Sequence, residues 1–150
     1  MKKESKELKS KKNILKKEII SPFKHKRRKK ILIIEDNIDT MELLCIMLNN
    51  KGYHVLQAYD GKTGLNILKQ RHIDMILLDI MLPDISGEVV LKNIRRKEEY
   101  DKVKIIVLTA GRFSANEQEA FITKGAQKFM NKPVSVEVLE KEIRKQLRKR

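Results

Sequence analysis

The sequence predicts an α/β protein built on a doubly wound, five-stranded parallel sheet with helices on both faces. From residue 30 onward, short apolar and β-branched segments alternate five times with segments that have helical spacing. Three of the five apolar segments are uninterrupted, as is typical of central parallel strands covered on both faces. Strand and helix alternate through short links, which favours right-handed crossovers and therefore a parallel sheet.

Each element has a signal of its own. The five predicted strands are, in chain order, ILII (31–34), HVLQA (54–58), MILLD (75–79), KIIVL (104–108) and QKFM (127–130). Apolar residues at i, i+3, i+4 and i+7 predict an amphipathic first helix that buries Met41, Leu44, Cys45 and Leu48. A spacing of i, i+4 and i+8 predicts a last helix that buries Leu139, Ile143 and Leu147.

Capping residues mark the ends of several helices. Ser114 with Glu117 gives the pattern of a capping box, in which each side chain bonds the backbone of the other residue. Ser86 and Ser135 are at positions expected of N-caps. Three glycines are predicted at helix ends or turns, namely Gly52, Gly111 and Gly125.

The net charge of +14 is concentrated at the start of the 150-residue chain. Residues 1–30 contain fourteen Lys and Arg against three Glu, whereas residues 31–150 contain twenty against seventeen Asp and Glu. We therefore predict two parts, a basic extension (1–29) that is partly helical or disordered and a folded domain (30–150).

The composition argues against several classes of protein. The longest apolar run has six residues, Leu43 to Leu48, so we expect neither a membrane-spanning helix nor a signal-peptide core. The single cysteine, Cys45, excludes an intramolecular disulfide and fits a reducing, cytoplasmic location. The three histidines lie far apart and have no metal-ligand spacing.

Polar residues end or follow four of the predicted strands. Glu35 and Asp36 follow the first strand, and Asp79 ends the third. Thr109 follows the fourth strand, and Lys132 comes just after the fifth. Open α/β sheets bind ligands at the carboxyl edge of their strands, so we expect these side chains to converge there. Neighbouring carboxylates repel one another, and a hard cation such as Mg²⁺ relieves that repulsion.

This arrangement predicts the transfer of a phosphoryl group to a carboxylate. Asp79 follows an unbroken apolar run, so we expect it to lie deepest and to act as the nucleophile that forms an acyl phosphate. Mg²⁺ held by Glu35, Asp36 and Asp79 would neutralise the transferring oxygens. Lys132 would supply a second positive charge and Thr109 a hydrogen bond.

Each of these residues, taken alone, has an ordinary structural explanation. An aspartate at a strand end is usually a turn former or a helix cap. Lys132 alone would more often be a solvated surface lysine, and Thr109 alone a common strand or cap residue. The signal is the occurrence of all of them, in order, at the ends of strands one, three, four and five.

The combination resembles the receiver domain of two-component response regulators, over about residues 30–148. In that family an acidic pair follows strand 1, the phospho-acceptor follows strand 3, a Thr or Ser ends strand 4, and Lys–Pro follows strand 5. The similar segments are LLDIMLPDISG (77–87), LTAG (108–111), KFMNKP (128–133) and AYDGKTGLNIL (58–68). The resemblance, closest to a chemotaxis-type single-domain receiver, implies a flavodoxin-like fold with five helices and strand order 2-1-3-4-5.

The resemblance also implies a role for each site residue. The phosphorylation site would be Asp79, and the Mg²⁺ ligands would be Glu35, Asp36, Asp79 and the backbone carbonyl of Met81. The catalytic and switch residues would be Thr109, Lys132 and Phe129. The edge of the site would be formed by Ala110, Gly111 and Pro133, with a Lys–Pro bond that is often cis in the family. The residues alone leave open whether Phe129 is a switch or a core residue.

The implied function is a phosphorylation-dependent switch, with no enzymatic activity beyond self-catalysed phosphotransfer and dephosphorylation. A sensor histidine kinase or phosphotransfer protein would supply the phosphoryl group. The surface of helix 4, strand 5 and helix 5 would then control a downstream protein or a phosphorylation-dependent dimer. Since the chain ends soon after the last predicted helix, we expect a stand-alone receiver. Alternatively, residues 1–30 bind nucleic acid or an anionic membrane as the output, or form a solvated leader.

Overall fold

The computed structural model describes residues 27–149, in which five parallel strands form one sheet in the order β2-β1-β3-β4-β5. The strands are β1 (Lys30–Ile34), β2 (His54–Ala58), β3 (Met75–Leu78), β4 (Lys104–Thr109) and β5 (Lys128–Asn131). The predicted fold class and strand order are therefore confirmed. The central register aligns Ile34 with both Ala58 and Leu78, so the first three strands end at one level. The basic segment 1–26 lies outside the described residues.

Five helices connect the strands and cover both faces of the sheet. They are α1 (Ile38–Asn50), α2 (Gly61–Gln70), α3 (Gly87–Arg95), α4 (Ala115–Thr123) and α5 (Val136–Arg148), with a short 3₁₀ helix at Glu98–Tyr100. Between residues 27 and 149, no helix is both long and apolar enough to cross a membrane.

The predicted N-caps are confirmed, and two further caps are present. Ser86, Ser114 and Ser135 each accept a backbone N–H of the helix that follows, and Glu117 completes the capping box with Ser114. The other two caps are Asn37, which precedes α1, and Asp60, which precedes α2. Each of the five helices described thus begins at a side chain that accepts an otherwise unpaired backbone N–H group.

Two of the three glycines predicted at helix ends or turns adopt the left-handed conformation that glycine tolerates best. Gly52 has φ +86° just after α1, and Gly125 has φ +107° just after α4. Gly111 lies in the loop between β4 and α4 without a positive φ. A positive φ is therefore required at the two helix ends and not at Gly111.

The core lies in two layers because alternate residues of each strand point to opposite faces. On one face, Ile76 and Leu78 of β3 pack with residues of α3 and α4. On the other face, Met75 and Leu77 pack with residues of α1 and α5. All four β3 residues are buried, which leaves β3 no solvent-facing side. The chain leaves this buried strand at Asp79, at the edge where ligands bind in such sheets.

Candidate functional site

Three carboxylates lie together at the carboxyl edge of the sheet. Glu35 and Asp36 follow β1, Asp79 follows β3, and one oxygen from each lies within 4.8 Å of the others. They border an open cavity of about 810 Å³ that is also lined by Met81, Ala110, Lys132 and the start of α1. The structure therefore brings together the acidic residues that the sequence placed at the ends of separate strands.

Lys132 bridges two of the carboxylates. Its ammonium group donates to Oδ2 of Asp79 at 3.1 Å and to Oε2 of Glu35. Both carboxylate side chains are almost fully buried, and the Lys132 side chain is 16 % exposed. Burial of like charges is costly unless a cation pairs with them. Lys132 provides that cation. It comes directly after β5 and is joined to Pro133 by a cis peptide bond.

Glu35 is the most buried acid of the site, at 2 % exposure against 7 % for Asp79. The prediction that Asp79 lies deepest was therefore wrong. Glu35 turns inward because its carboxylate accepts the backbone N–H of Asn37 at 2.9 Å as well as the Lys132 ammonium. Its burial raises the pKa of Glu35, and the Asp79 charge adds to that rise, although Lys132 and Asn37 act against it.

Asp79 is held at both carboxylate oxygens. Oδ1 accepts the backbone N–H of Met81 at 3.1 Å, and Oδ2 accepts the Lys132 ammonium. The side chain nevertheless borders the open cavity, with the exposed Met81 and Ala110 on the cavity wall. Asp79 is thus oriented by the chain and remains accessible to a small reactant.

The remaining expected site residues lie beside or behind the cavity. Thr109 ends β4 and is fully buried, and its hydroxyl accepts the backbone N–H of Gly111 at 3.4 Å. Phe129 is buried in β5 at 8 % exposure. Pro133 is exposed just past β5. Neither Thr109 nor Phe129 lines the cavity, so the Thr109 hydroxyl would have to move towards the cavity to contact a group bound at Asp79.

Phe129 belongs to an aromatic cluster, formed by Phe113, Phe121 and Phe129, that sequence reasoning missed. The Phe113 ring packs edge-on against Phe129, with centroids 5.3 Å apart, and against Phe121 at 5.9 Å. Phe113 comes from the loop after Thr109, and Phe121 from α4. The cluster therefore joins the loop beside the site to α4 and β5. The three phenylalanines lie on separate elements, so no pattern of neighbouring residues in the sequence predicts that they pack together.

Asp84 was also missed, and it ties the loop after β3 to the start of α2. Its two carboxylate oxygens accept the N–H groups of Gly61 and Lys62, each at 2.8 Å. Desolvation opposes the ionised form, but these N–H groups and that of Ile85 together outweigh it and lower the pKa of Asp84 to about 2. The loop that carries Asp79 and Met81 is thereby fixed to a second helix.

We expect Asp84→Asn to lower the free energy of unfolding at neutral pH. The free energy of unfolding of the variant should also depend less on pH in the acid range. The folded-state pKa of about 2 is below the ordinary 3.8, so the carboxylate stabilises the folded protein above pH 3.8. That contribution is lost as the pH falls from 3.8 towards 2. Urea midpoints measured from neutral pH downwards would show a flatter acid limb for the variant. Equal slopes for Asp84→Asn and the exposed control Asp101→Asn would contradict this role.

Gly87 allows the backbone to pass close to Asp79. A Cβ at this position would lie 2.7 Å from the Cα of Ile80 and would also collide with the carbonyl of Asp79. The Gly87 N–H in turn donates to the carbonyl of Ile80 at 2.8 Å. Any larger residue must displace the backbone that carries Asp79.

We therefore expect Gly87→Ala to lower the free energy of unfolding by about 1–3 kcal/mol, as overpacking in a core does, and to slow the phosphorylation that the sequence predicts at Asp79. Urea unfolding and phosphorylation by acetyl phosphate would measure the two effects. Gly52→Ala is the matched control, since nothing lies within 4 Å of its added Cβ and only its φ of +86° is unfavourable. The control should lose some stability and keep its phosphorylation rate. Equal rates for both variants would show that Gly87 does not position Asp79.

The acidic cluster fits a hard divalent cation. Mg²⁺ prefers oxygen ligands and uses one or two carboxylates while keeping several waters. Glu35, Asp36 and Asp79 offer carboxylate oxygens at mutual distances within 4.8 Å, and the open cavity leaves room for waters. Within residues 27–149, these three residues form the one group of acids whose oxygens lie close enough together to share a metal ion.

A parallel 2-1-3-4-5 sheet with acids and a lysine at its carboxyl edge is the arrangement that the resemblance to receiver domains implies. The chain belongs to the response regulator receiver domain family, whose family model matches residues 31–144. It is thus the receiver domain of a two-component response regulator. Such domains act as signalling switches rather than typical enzymes, interact with histidine kinases or phosphotransfer proteins and bind Mg²⁺ in their acidic site.

Individual relatives agree with this assignment. The chain is 37 % identical over 120 residues to the uncharacterized transcriptional regulatory protein YrkP of Bacillus subtilis, and this match covers 80 % of the chain and half of YrkP. It is 32 % identical to the polar-differentiation response regulator DivK of Brucella ovis, over 72 % of the chain and 87 % of DivK.

A solved structure also matches the fold. The receiver domain of the sensor histidine kinase PA1611 of Pseudomonas aeruginosa has a TM-score of 0.72 and 28 % identity. The match covers 80 % of this chain and 98 % of that structure, which has a magnesium ion coordinated in its active site cleft.

Proposed function

We propose that Asp79 accepts a phosphoryl group from a sensor histidine kinase or a phosphotransfer protein. The observation that carries the proposal is the setting of Asp79, whose two oxygens are bound by Lys132 and by the Met81 N–H beside an open cavity. Because these two bonds already fix the orientation of the carboxylate, it can attack phosphorus without first losing conformational freedom. In the same proposal, residues 30–150 form the receiver and residues 1–29 a basic extension.

The transfer forms one bond and breaks another. A carboxylate oxygen of Asp79 bonds to phosphorus, and the bond between phosphorus and the donor breaks, with its electron pair leaving on the donor atom. The product is an acyl phosphate, and the leaving atom takes its proton from the donor's side or from water.

The surrounding residues would stabilise the charge that develops. Mg²⁺, bound by Glu35, Asp36, Asp79 and the Met81 carbonyl, would supply positive charge to the phosphoryl oxygens. Lys132 lies 3.1 Å from Asp79 and can move its hydrogen bond from the carboxylate to a phosphoryl oxygen. Ala110 lines the cavity with a single methyl group, which keeps the approach to Asp79 open.

The proposed output is a change in the surface formed by α4, β5 and α5. Thr109 ends β4 and pairs in register with Asn131, two residues beyond Phe129 on β5. A hydrogen bond from the Thr109 hydroxyl to the phosphoryl group would pull on the loop that carries Gly111 and Phe113. Because Phe113 packs against Phe129, that movement would repack the aromatic cluster and alter the outer surface for a downstream protein.

Phosphorylation of the full chain by acetyl phosphate tests the proposal. With Mg²⁺ present we expect one phosphoryl group per chain, removed by hydroxylamine as an acyl phosphate is. Chelation of Mg²⁺ should prevent the reaction. A phosphoryl group that survives hydroxylamine would lie on a hydroxyl group and would contradict the proposal.

A further inference from the structure

A second cavity, of about 540 Å³, lies at the opposite edge of the sheet, where the strands begin. Its wall combines the chain before β1, the residues after α2, the start of β4 and the end of α5. Six Lys and Arg side chains line it against two carboxylates, the cations being Arg27, Lys29, Arg71, Lys102, Lys104 and Lys149. We refer to these six residues as the amino-edge basic surface.

The two carboxylates are already engaged. Asp74 accepts the Lys29 ammonium at 2.9 Å and the Lys30 N–H at 2.8 Å, with His72 3.6 Å away. Glu99 lies 3.8 Å from Lys97, which is outside the cavity wall. Within residues 27–149, the other five cations of the amino-edge basic surface form no ion pair. The surface therefore keeps a large excess of positive charge.

Helix dipoles account for only part of this excess. Cations are favourable at helix C-termini, which explains Arg71 at the end of α2 and Lys149 at the end of α5. Arg27 precedes β1, while Lys102 and Lys104 lie before and at the start of β4. None of these three follows the end of an α-helix, so their clustering needs another explanation, and a bound polyanion provides one.

The kind of polyanion follows from the charge of the cavity wall. Its six cations stand against two carboxylates, of which Asp74 is paired with Lys29 and Glu99 lies near Lys97. This excess of positive charge, spread over six side chains, exceeds what one small anion needs and suits a polymer of phosphates. None of the exposed large apolar side chains between residues 27 and 149 lines the cavity, so the surface offers no apolar anchor for a bilayer.

We propose that the amino-edge basic surface binds nucleic acid through its phosphate backbone. Among the described residues of the cavity wall, Tyr100 and His72 carry the only aromatic rings, so contact with bases is minor and binding is independent of sequence. The site lies at the opposite ends of the strands from Asp79, which leaves the phosphorylation site accessible while nucleic acid is bound. The inference stands on different residues from the proposed function and does not depend on it.

Binding of a short labelled DNA duplex to the full chain, measured by fluorescence anisotropy across a salt series, tests the proposal. The test variant is Arg71→Gln with Lys102→Gln and Lys104→Gln. Each lost phosphate contact lowers the slope of log K against log salt by about 1, so we expect a fall of about 3. Near 0.15 M salt this corresponds to binding weaker by on the order of a hundredfold.

The matched control removes the same charge elsewhere. Arg112→Gln with Lys62→Gln and Lys92→Gln changes three exposed cations outside the cavity and should leave the slope nearly unchanged. Urea midpoints of both triple variants confirm that each is folded. Equal slopes for the two variants would overturn the proposal, as would failure of the full chain to bind DNA. Loss of binding to phosphatidylserine vesicles in the test variant, with DNA binding unchanged, would overturn it in favour of a membrane.

Discussion

Asp79→Asn is expected to abolish phosphorylation by acetyl phosphate in the presence of Mg²⁺. The amide is close in size to the carboxylate, and its oxygen can still accept one of the bonds that Met81 and Lys132 now donate to Asp79. It is not a nucleophile towards phosphorus, and it also removes one charge from the proposed Mg²⁺ site. Intact-protein mass spectrometry would measure the fraction of chains that carry a phosphoryl group.

Asp39→Asn is the matched control for this experiment. Asp39 lines the same cavity from the first turn of α1 but does not belong to the cluster of Glu35, Asp36 and Asp79. The control should be phosphorylated at close to the original rate, because only general negative charge is lost. Full phosphorylation of Asp79→Asn would place the acceptor elsewhere, and equal loss in both variants would point to general charge instead of a nucleophile.

Among the single substitutions proposed, Lys132→Gln is expected to lower the free energy of unfolding the most. It leaves the buried carboxylates of Glu35 and Asp79 without their shared cation. Removing one partner of a buried ion pair costs about 3–5 kcal/mol, and the open cavity favours the lower end, about 3 kcal/mol. Urea unfolding in the presence of a chelator would measure this loss.

Added Mg²⁺ should restore part of the stability of Lys132→Gln, and more than it adds to the original chain. The metal would then replace the missing ammonium charge beside the same carboxylates. Lys124→Gln is a suitable control, because Lys124 pairs with Glu88 at 2.6 Å on the exposed surface. Exposed pairs contribute little, so its loss should be much smaller. Equal losses for the two lysines would show that Lys132 does not neutralise a buried charge.

The strands could be predicted because their signal is local. A run such as MILL in β3 is apolar at every position, and burial on both faces is the one arrangement that suits it. The first residues of helices α3, α4 and α5 were likewise predictable from the N-caps Ser86, Ser114 and Ser135. The caps at Asn37 and Asp60 carry the same kind of signal, an Asn or Asp just before a helix.

The candidate site was predictable only as a set of converging residues. The ends of parallel strands must meet, which brings Glu35, Asp79 and Lys132 together whatever the details of the side chains. Depth was not predictable, because Glu35 is drawn inward by Asn37 and by Lys132, which lies 97 positions further along the chain. The bonds of Asp84 to α2 and the packing of Phe113 on Phe129 likewise join distant segments and leave no mark in local sequence.

The acidic cluster at one end of the strands and the basic residues at the other contribute an electric dipole along the strand direction. Glu35, Asp36 and Asp79 form one end, and the amino-edge basic surface forms the other. A charged protein that approaches within the screening length, about 10 Å at 0.1 M salt, exerts a torque on such a dipole and turns it before contact. Encounter rates with phosphodonors should therefore depend on salt through orientation, even where the net charge of the folded domain is small.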